Sequence, residues 1–340
     1  MGRKYARVLV TGGAGFIGSN FVRLLRQTRP DTEVVVLDKL TYAGNPANLA
    51  EFDGQPGFAF VHGDICDVDL VNRLVPTVNA IVNFAAETHV DRSLTDPYSF
   101  IQSDVLGTAV LSDAAVKHRT EVFLLVSTDE VYGDVRTGRS RETDALRPRS
   151  PYSASKAGGE HIAHAFAESH GLPLLVTRGA NTYGPYQYPE KVVPVFVTNA
   201  IDDLPLPLYN DGSAVRDYIH VEDHCRAIDL VLHEAPIGNA YNVGTGVETS
   251  GNDLATAILD IFGKPKSLMQ YVADRKGHDY RYALDTTKIT EQLGWKPQVD
   301  LAAGMEQTVR WYAARQDWWR PLKSGEYWEY YKRNYKPLPV

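Results

Sequence analysis

The chain is poor in cysteine, with Cys66 and Cys225 its only two in 340 residues. Two thiols support neither a disulfide framework nor a cysteine-rich metal site. His161 and His164 are spaced i, i+3, but they read as a satisfied or exposed pair, and no metal is expected. No apolar run approaches the ~20 residues of a membrane span. The stretch after Arg3-Lys4 enters a strand-like run directly, without a signal-peptide core, so the expected address is the cytoplasm. Positive charge is also short: 35 Lys and Arg face 42 Asp and Glu, a net charge of −7. That balance disfavours a general nucleic-acid binder. Internal repeats, low-complexity tracts and long charge blocks are absent.

What is present is a regular alternation. Short apolar runs at residues 7–10, 33–37, 58–61, 80–84, 121–126 and 174–177 read as buried parallel strands, and helical patterns lie between most of them. Repeated βαβ units of this kind define an α/β protein with a doubly wound parallel sheet. Prolines at 185, 189, 194, 205 and 207 then break the periodicity, and aromatic residues become frequent. We expect a dinucleotide-binding domain over residues 1–185 plus about 217–247. A smaller mixed α/β C-terminal domain for substrate takes about 186–216 and 248–340. The tail from Trp311 to Tyr335 carries four of the five tryptophans and reads as an aromatic strap packed on the core.

The run Val8-Leu9-Val10-Thr11-Gly12-Gly13-Ala14-Gly15-Phe16-Ile17-Gly18 places four glycines directly after a strand and at the opening of a helix. Such glycines permit a tight turn and close backbone approach, and the helix N-terminus offers free N–H groups to a pyrophosphate. Asp38 ends the next strand at the distance where a carboxylate receives the adenosine ribose hydroxyls, which favours NAD over its 2′-phosphorylated relative. Lys39 beside it softens that preference. Asp64, followed by Ile65, ends the third strand and is placed to meet the adenine amino group. It reads equally well as a helix cap. Phe84-Ala85-Ala86 ends the fourth strand, with small residues that let backbone lie against a cofactor.

Two further stretches carry chemistry. Tyr152 and Lys156 are four apart and share one helix face. An ammonium there stabilises a tyrosinate, so the phenol works as a base well below its ordinary pKa of about 10. Ser127-Thr128-Asp129-Glu130 adds two carboxylates, an acid and a base beyond what alcohol oxidation needs. That surplus fits an enzyme that also removes water. Adjacent side chains on a strand point to opposite faces, so both acids reach one substrate only if the strand has ended by Thr128.

With these motifs in hand, the chain resembles the extended short-chain dehydrogenase/reductase superfamily, and within it the dTDP-glucose 4,6-dehydratase family. The narrower likeness lies in Asp38-Lys-Leu-Thr41-Tyr-Ala-Gly-Asn45, Ala85-Ala-Glu-Thr88-His-Val-Asp-Arg-Ser93 and Ser127-Thr-Asp-Glu-Val-Tyr-Gly-Asp134. It continues in Asn181-Thr-Tyr-Gly-Pro-Tyr-Gln187, Pro189-Glu190-Lys191, Arg216-Asp217 and Asp274-Arg275-Lys-Gly-His278-Asp279. The resemblance implies a Rossmann sheet holding NAD, with Lys39, Thr41 and Ser103 joining the cofactor site. It implies that Tyr152, aided by Lys156, takes the C4 hydroxyl proton as hydride passes to NAD, while Thr128 bonds the same oxygen. Glu130 then removes the C5 proton, Asp129 protonates the leaving C6 hydroxyl, and hydride returns to C6. Thr88 and Asn181 are implied beside the sugar and diphosphate, and Glu190, Lys191, Val192, Pro207 and Tyr209 around the nucleotide. Arg216 and Arg275 are implied for the diphosphate, with His278 nearby. Where the family has a substrate-contacting asparagine, Gly251 falls in register, and either a local shift delivers Asn252 or that contact is lost. The resemblance also implies a homodimer through a four-helix bundle. The helix stripes Val105, Ala109, Leu111, Ala115 and Ile162, Ala163, Phe166 serve either that bundle or simply the sheet. The expected substrate is dTDP-glucose. The alternatives are a UDP- or GDP-sugar dehydratase or epimerase, and a non-catalytic NAD-binding regulator.

Overall fold

The computed structural model describes residues 2–274 and 277–336. Seven strands form the main sheet: β1 (Arg7–Thr11), β2 (Glu33–Asp38), β3 (Phe58–His62), β4 (Ala80–Asn83), β5 (Val122–Thr128), β6 (Leu174–Gly179) and, later in the chain, β10 (Ala240–Val243). Their order is β10-β6-β5-β4-β1-β2-β3, and every pairing is parallel. The central strands are near-continuous apolar runs because helices cover both faces of the sheet. On one face, Phe21, Val22 and Leu25 of helix Phe16–Thr28 pack with Ala227, Ile228 and Val231 of helix Val221–Glu234. On the other, Val71, Leu111, Ala115 and Ala163 come from three further helices. Leu111, Ala115 and Ala163 thus cover the sheet, which is one of the two uses open to the helix stripes.

Two small sheets build the other layer. β7 (Asn181–Tyr183), β9 (Val215–His220) and β11 (Glu248–Ser250) form one, in order β11-β9-β7. β8 (Leu206–Tyr209) and β12 (Met269–Val272) pair in parallel as the other. A separate apolar core lies here, made by Val193, Phe196 and Val197 of helix Val192–Ile201, Leu254 and Ile258 of helix Gly251–Phe262, and Trp318 and Trp319.

Those tryptophans belong to the aromatic strap, which is tied to both layers. Trp318 Nε1 donates to Asn48 Oδ1 at 2.9 Å, on the larger-sheet side. Lys323 Nζ donates to Thr198 Oγ1 and Asn199 Oδ1 at 3.0 and 2.9 Å. Tyr330 and Tyr209 both donate to Asp91 Oδ2, at 2.8 and 3.0 Å. The strand order reverses between β1 and β4, and crevices at such switch points are where open α/β sheets take ligands.

Candidate active site

A cleft with a cavity volume of about 420 Å³ runs from that switch point across to the small sheets. Its floor at one end is the glycine turn. Gly12 has φ +67°, and a Cβ there would lie 2.6 Å from Ala85 N. A Cβ on Gly18 would lie 2.3 Å from Gly12 O. The helix beginning at Phe16 has no side chain capping its N-terminus, so its first N–H groups remain open to a ligand. Asp38 accepts from Ala14 N at 2.9 Å and Leu40 N at 2.8 Å, and burial raises its carboxyl pKa. Lys39 pairs with Asp64 at 2.8 Å. Burial alone would raise the Asp64 carboxyl, but Lys39 and the Cys66 N–H outweigh it and hold it low. Gly15, Ile17, Thr41, Ile65, Phe84, Ala85, Ala86 and Ser103 complete this end. Ser103 sits on a π-helical turn, Ile101–Gly107.

Thr128, Asp129, Glu130, Tyr152 and Lys156 line one stretch of the cleft. β5 ends at Thr128, and a tight turn, Asp129–Tyr132, follows at once. Thr128 caps it by accepting from Glu130 N at 3.3 Å. The alternation of the strand is thereby broken, and both Asp129 and Glu130 line the cleft. Asp129 is 3% exposed. Burial first, then the Glu130 charge, pushes its carboxyl well above the ordinary range. One of its oxygens, Oδ1, accepts from Thr128 Oγ1 at 3.2 Å. The other, Oδ2, is buried without a hydrogen-bond partner. Burial and a neighbouring carboxylate both favour the protonated form of this acid.

Tyr152 and Lys156 stand on the first turns of helix Pro151–His170, which Ser150 opens with a reciprocal cap to Ser153. Lys156 Nζ donates to Val126 O at 3.0 Å. The expectation of a phenol lowered by Lys156 is not met in the protein by itself. Burial and the charges of Glu130, Asp104 and Asp129 raise Tyr152 well above its ordinary value, against a hydrogen bond with Thr128. Burial of the phenol is the main cause of that direction, and the acidic groups around it add to it.

At the far end, Arg216 is anchored through its guanidinium to Tyr280 O at 3.0 Å and Asp279 O at 2.7 Å. Lys191 Nζ donates to Thr88 Oγ1 at 2.8 Å. Glu190 is 1% exposed, accepts from Arg92 Nε at 3.0 Å through Oε2, and leaves Oε1 without a hydrogen-bond partner. Asn181 likewise keeps a buried Oδ1 without a hydrogen-bond partner. Val192, Pro207, Tyr209 and His278 line the same wall.

One expected contact is not found in the cleft. Asn252 turns away: its amide donates to Asp211 O at 2.8 Å, and its Oδ1 accepts from Tyr271 at 3.2 Å. Gly251 lines the cleft instead, so no register shift delivers the asparagine. Arg275 lies outside the described residues. Conversely, the sequence reading passed over three groups. Tyr335 reaches the cleft from the strap and packs 5.7 Å from the Tyr209 ring. Glu87 lines the glycine-turn end of the cleft beside Thr41. Tyr282 donates to Asp279 Oδ2 at 2.6 Å and reaches Glu130 Oε2 at 3.4 Å. Tyr335 carried a signal, an aromatic-rich tail, but nothing in sequence tells a packing ring from a lining one.

A dinucleotide-type sheet with a Tyr-Lys pair and two acidic side chains on one cleft makes this an α/β protein equipped for redox and acid–base chemistry. A family model described as GDP-mannose 4,6 dehydratase matches residues 9–308. The chain is 50% identical over 324 residues to a dTDP-glucose 4,6-dehydratase of Streptomyces niveus, covering 94% of this chain and 96% of that one. A Streptomyces venezuelae dTDP-glucose 4,6-dehydratase, crystallised with NAD and TYD bound, is 51% identical with a TM-score of 0.91, covering 93% of this chain and all of that one. The Bacillus anthracis enzyme in complex with NAD is 43% identical with a TM-score of 0.88, covering 93% and 99%. The chain belongs to the dTDP-glucose 4,6-dehydratase family of hydro-lyases.

Proposed function

We propose that this chain binds NAD and converts dTDP-glucose to dTDP-4-keto-6-deoxyglucose by the residues gathered at the cleft. NAD fits the glycine cradle because side chains at Gly12 and Gly18 would strike backbone there, while uncapped helix N–H groups and the Asp38 carboxylate remain to receive it. When bound, it supplies a hydride acceptor and a positively charged ring. Tyr152 takes the C4 hydroxyl proton, with Lys156 favouring the tyrosinate and Thr128 holding the oxygen. Oxidation at C4 acidifies the C5 hydrogen, which Glu130 removes. Asp129 gives its proton to the departing C6 hydroxyl. Arg216 holds the diphosphate, with Thr88 and Asn181 beside it, and Glu190, Lys191 and Tyr209 surround the base.

The observation that carries this reading is the buried, high-pKa carboxyl of Asp129 beside Glu130 and within reach of Tyr152. An alcohol dehydrogenase or a regulator has no use for such an acid. Incubation with dTDP-glucose or UDP-glucose, without added NADH, tests it. The expected result is loss of one water by mass spectrometry, alkali-induced absorbance of a 4-keto product, and no net NADH, from dTDP-glucose. Product only from UDP-glucose would overturn the base assignment, and no loss of water would overturn the dehydratase reading.

The same proposal places the enzyme in the cytoplasm as a homodimer. No described helix is long and apolar enough to cross a membrane. Tyr98, Ile101 and Leu106 are exposed along the segment running from Pro97 to Gly107, with Tyr98 80% exposed, an apolar edge that a second copy would cover.

A further inference from the structure

The cleft is lined by a histidine that no step above uses. His224 stands on the first turns of helix Val221–Glu234, is 2% exposed, and reaches the cleft wall. Its ring packs on Gly179, the last residue of β6, where an added Cβ would lie 2.4 Å from Cε1 and 2.5 Å from Nε2. Only a glycine lets the imidazole come up against the strand end. Gly179 pairs in register with Thr128 of β5, so the ring lies one strand over from the Thr128–Glu130 strip. The tautomer is set by its neighbours. Nδ1 lies 2.8 Å from Thr182 Oγ1, and that hydroxyl donates to Ala180 O at 3.1 Å. A hydroxyl has one proton to give. With that proton committed to Ala180 O, Nδ1–H donates to Oγ1 and both bonds are made. The opposite tautomer would forfeit the Ala180 bond and bury an unpaired Nε2–H. Burial also holds the imidazole neutral, lowering its pKa to about 4. Nε2 is therefore a bare acceptor, buried and without a hydrogen-bond partner in the protein. Buried acceptors of this kind are rare unless a ligand meets them.

We propose that His224 Nε2 accepts a hydrogen bond from the carboxamide NH2 of bound NAD and so seats the nicotinamide at the ends of β5 and β6. The inference rests on the NAD reading above, and the placement follows from the sheet order. The glycine turn after β1 takes the pyrophosphate, and Asp38 at the end of β2 takes the adenosine ribose. The adenosine half thus lies over β2 and β3. The other half crosses the switch point over β4 and β5, toward β6. On that half the carboxamide carries the only N–H donors, and a bare imidazole nitrogen can only accept. Neutrality matters as well, because an imidazolium would repel the positively charged oxidised ring. Thr182 is the support: by taking the Nδ1 proton it turns the free lone pair toward Gly179 and the cleft.

The test compares NAD with 3-acetylpyridine adenine dinucleotide, in which a methyl ketone replaces the amide and the N–H donors are gone. Calorimetry on the full chain, freed of nucleotide, gives both Kd values. The unaltered protein should bind NAD about three- to tenfold more tightly than the analogue, the worth of one hydrogen bond. His224→Asn keeps an amide donor for Thr182 and removes the acceptor at Nε2, so its two Kd values should agree. His224→Gln puts an amide oxygen near the Nε2 position and should restore the preference. Circular dichroism checks that each variant keeps the fold. A third readout needs no variant: nitrogen spectra of histidine-labelled protein should show a buried Nδ1–H imidazole whose Nε2 signal moves with NAD and not with the analogue. A preference under about twofold in the unaltered chain would overturn the inference, as would a preference kept in H224N or a proton found on Nε2. Each of those outcomes leaves NAD binding standing. Binding of neither dinucleotide would overturn the NAD reading, and the inference with it.

Discussion

Replacing Arg178 with methionine should destabilise the protein more than any comparable surface change. Arg178, on β6, is 4% exposed, and Glu160, on the helix of Tyr152 and Lys156, is 0% exposed. The guanidinium meets Glu160 Oε1 and Oε2 at 3.0 and 3.2 Å through Nε, and also donates to the Tyr132 hydroxyl at 2.6 Å. Burial by itself would raise the Glu160 carboxyl. Hydrogen bonds from His164 and Arg178, the Arg178 charge and a bond from Ser127 outweigh it and hold the pKa down to about 2. Relative to an ordinary 4.5, that shift is worth about 3 kcal/mol of folding free energy. Removing one partner of such a pair leaves a buried charge alone, which costs about 3–5 kcal/mol. Urea denaturation followed by far-ultraviolet circular dichroism at pH 7 should show a loss in that range for R178M. Because the folded pKa is depressed, this contribution is complete above about pH 4.5 and fades as pH falls toward 2. Glu160→Gln should flatten that part of the stability profile, and R178M/E160L should recover much of the loss. An R178M cost below about 1 kcal/mol, or an unchanged acid slope in E160Q, would refute the reasoning.

Three other perturbations follow from the cleft. Gly18→Ala forces a Cβ to within 2.3 Å of Gly12 O, a backbone atom that cannot yield cheaply. NAD affinity by calorimetry should fall at least about tenfold, or 1.4 kcal/mol, and an unaltered Kd would count against the glycine cradle. Asp129→Asn should slow water loss by about 10²–10⁴-fold while C4 oxidation persists. Reduced nicotinamide should then build up in absorbance, and its failure to appear would remove Asp129 from the acid role. Tyr335→Ala should weaken dTDP binding by up to about tenfold, the worth of one aromatic contact, and an unchanged Kd would leave the ring a packing residue.

The parallel sheet was legible because strands buried on both faces must be apolar throughout, as Val122–Thr128 is until its last two residues. The glycine turn and the Thr128–Glu130 strip were legible because their geometry is local, a few residues from strand end to helix. Long-range closure was not. Asn252 read as a late contact, yet Ser250 caps its helix by accepting from Asp253 N at 3.1 Å, and the asparagine turns to Asp211. Tyr335 lies 126 residues beyond its ring partner Tyr209, a separation that no periodicity bridges. The raised Tyr152 phenol was equally hidden, since Asp104 and Glu130 approach it from other elements.

The strap has an optical consequence. Of the five tryptophans, Trp311, Trp318, Trp319 and Trp328 all ride on it, and only Trp295 packs into the larger core. Trp311 and Trp318 stand 5.1 Å apart, with Tyr186 4.7 Å from Trp311. Intrinsic emission will therefore report whether the tail is seated beside the Tyr209 wall, and will see the seven-stranded sheet only dimly. A denaturation curve followed by fluorescence and one followed by circular dichroism would be watching different halves of the molecule.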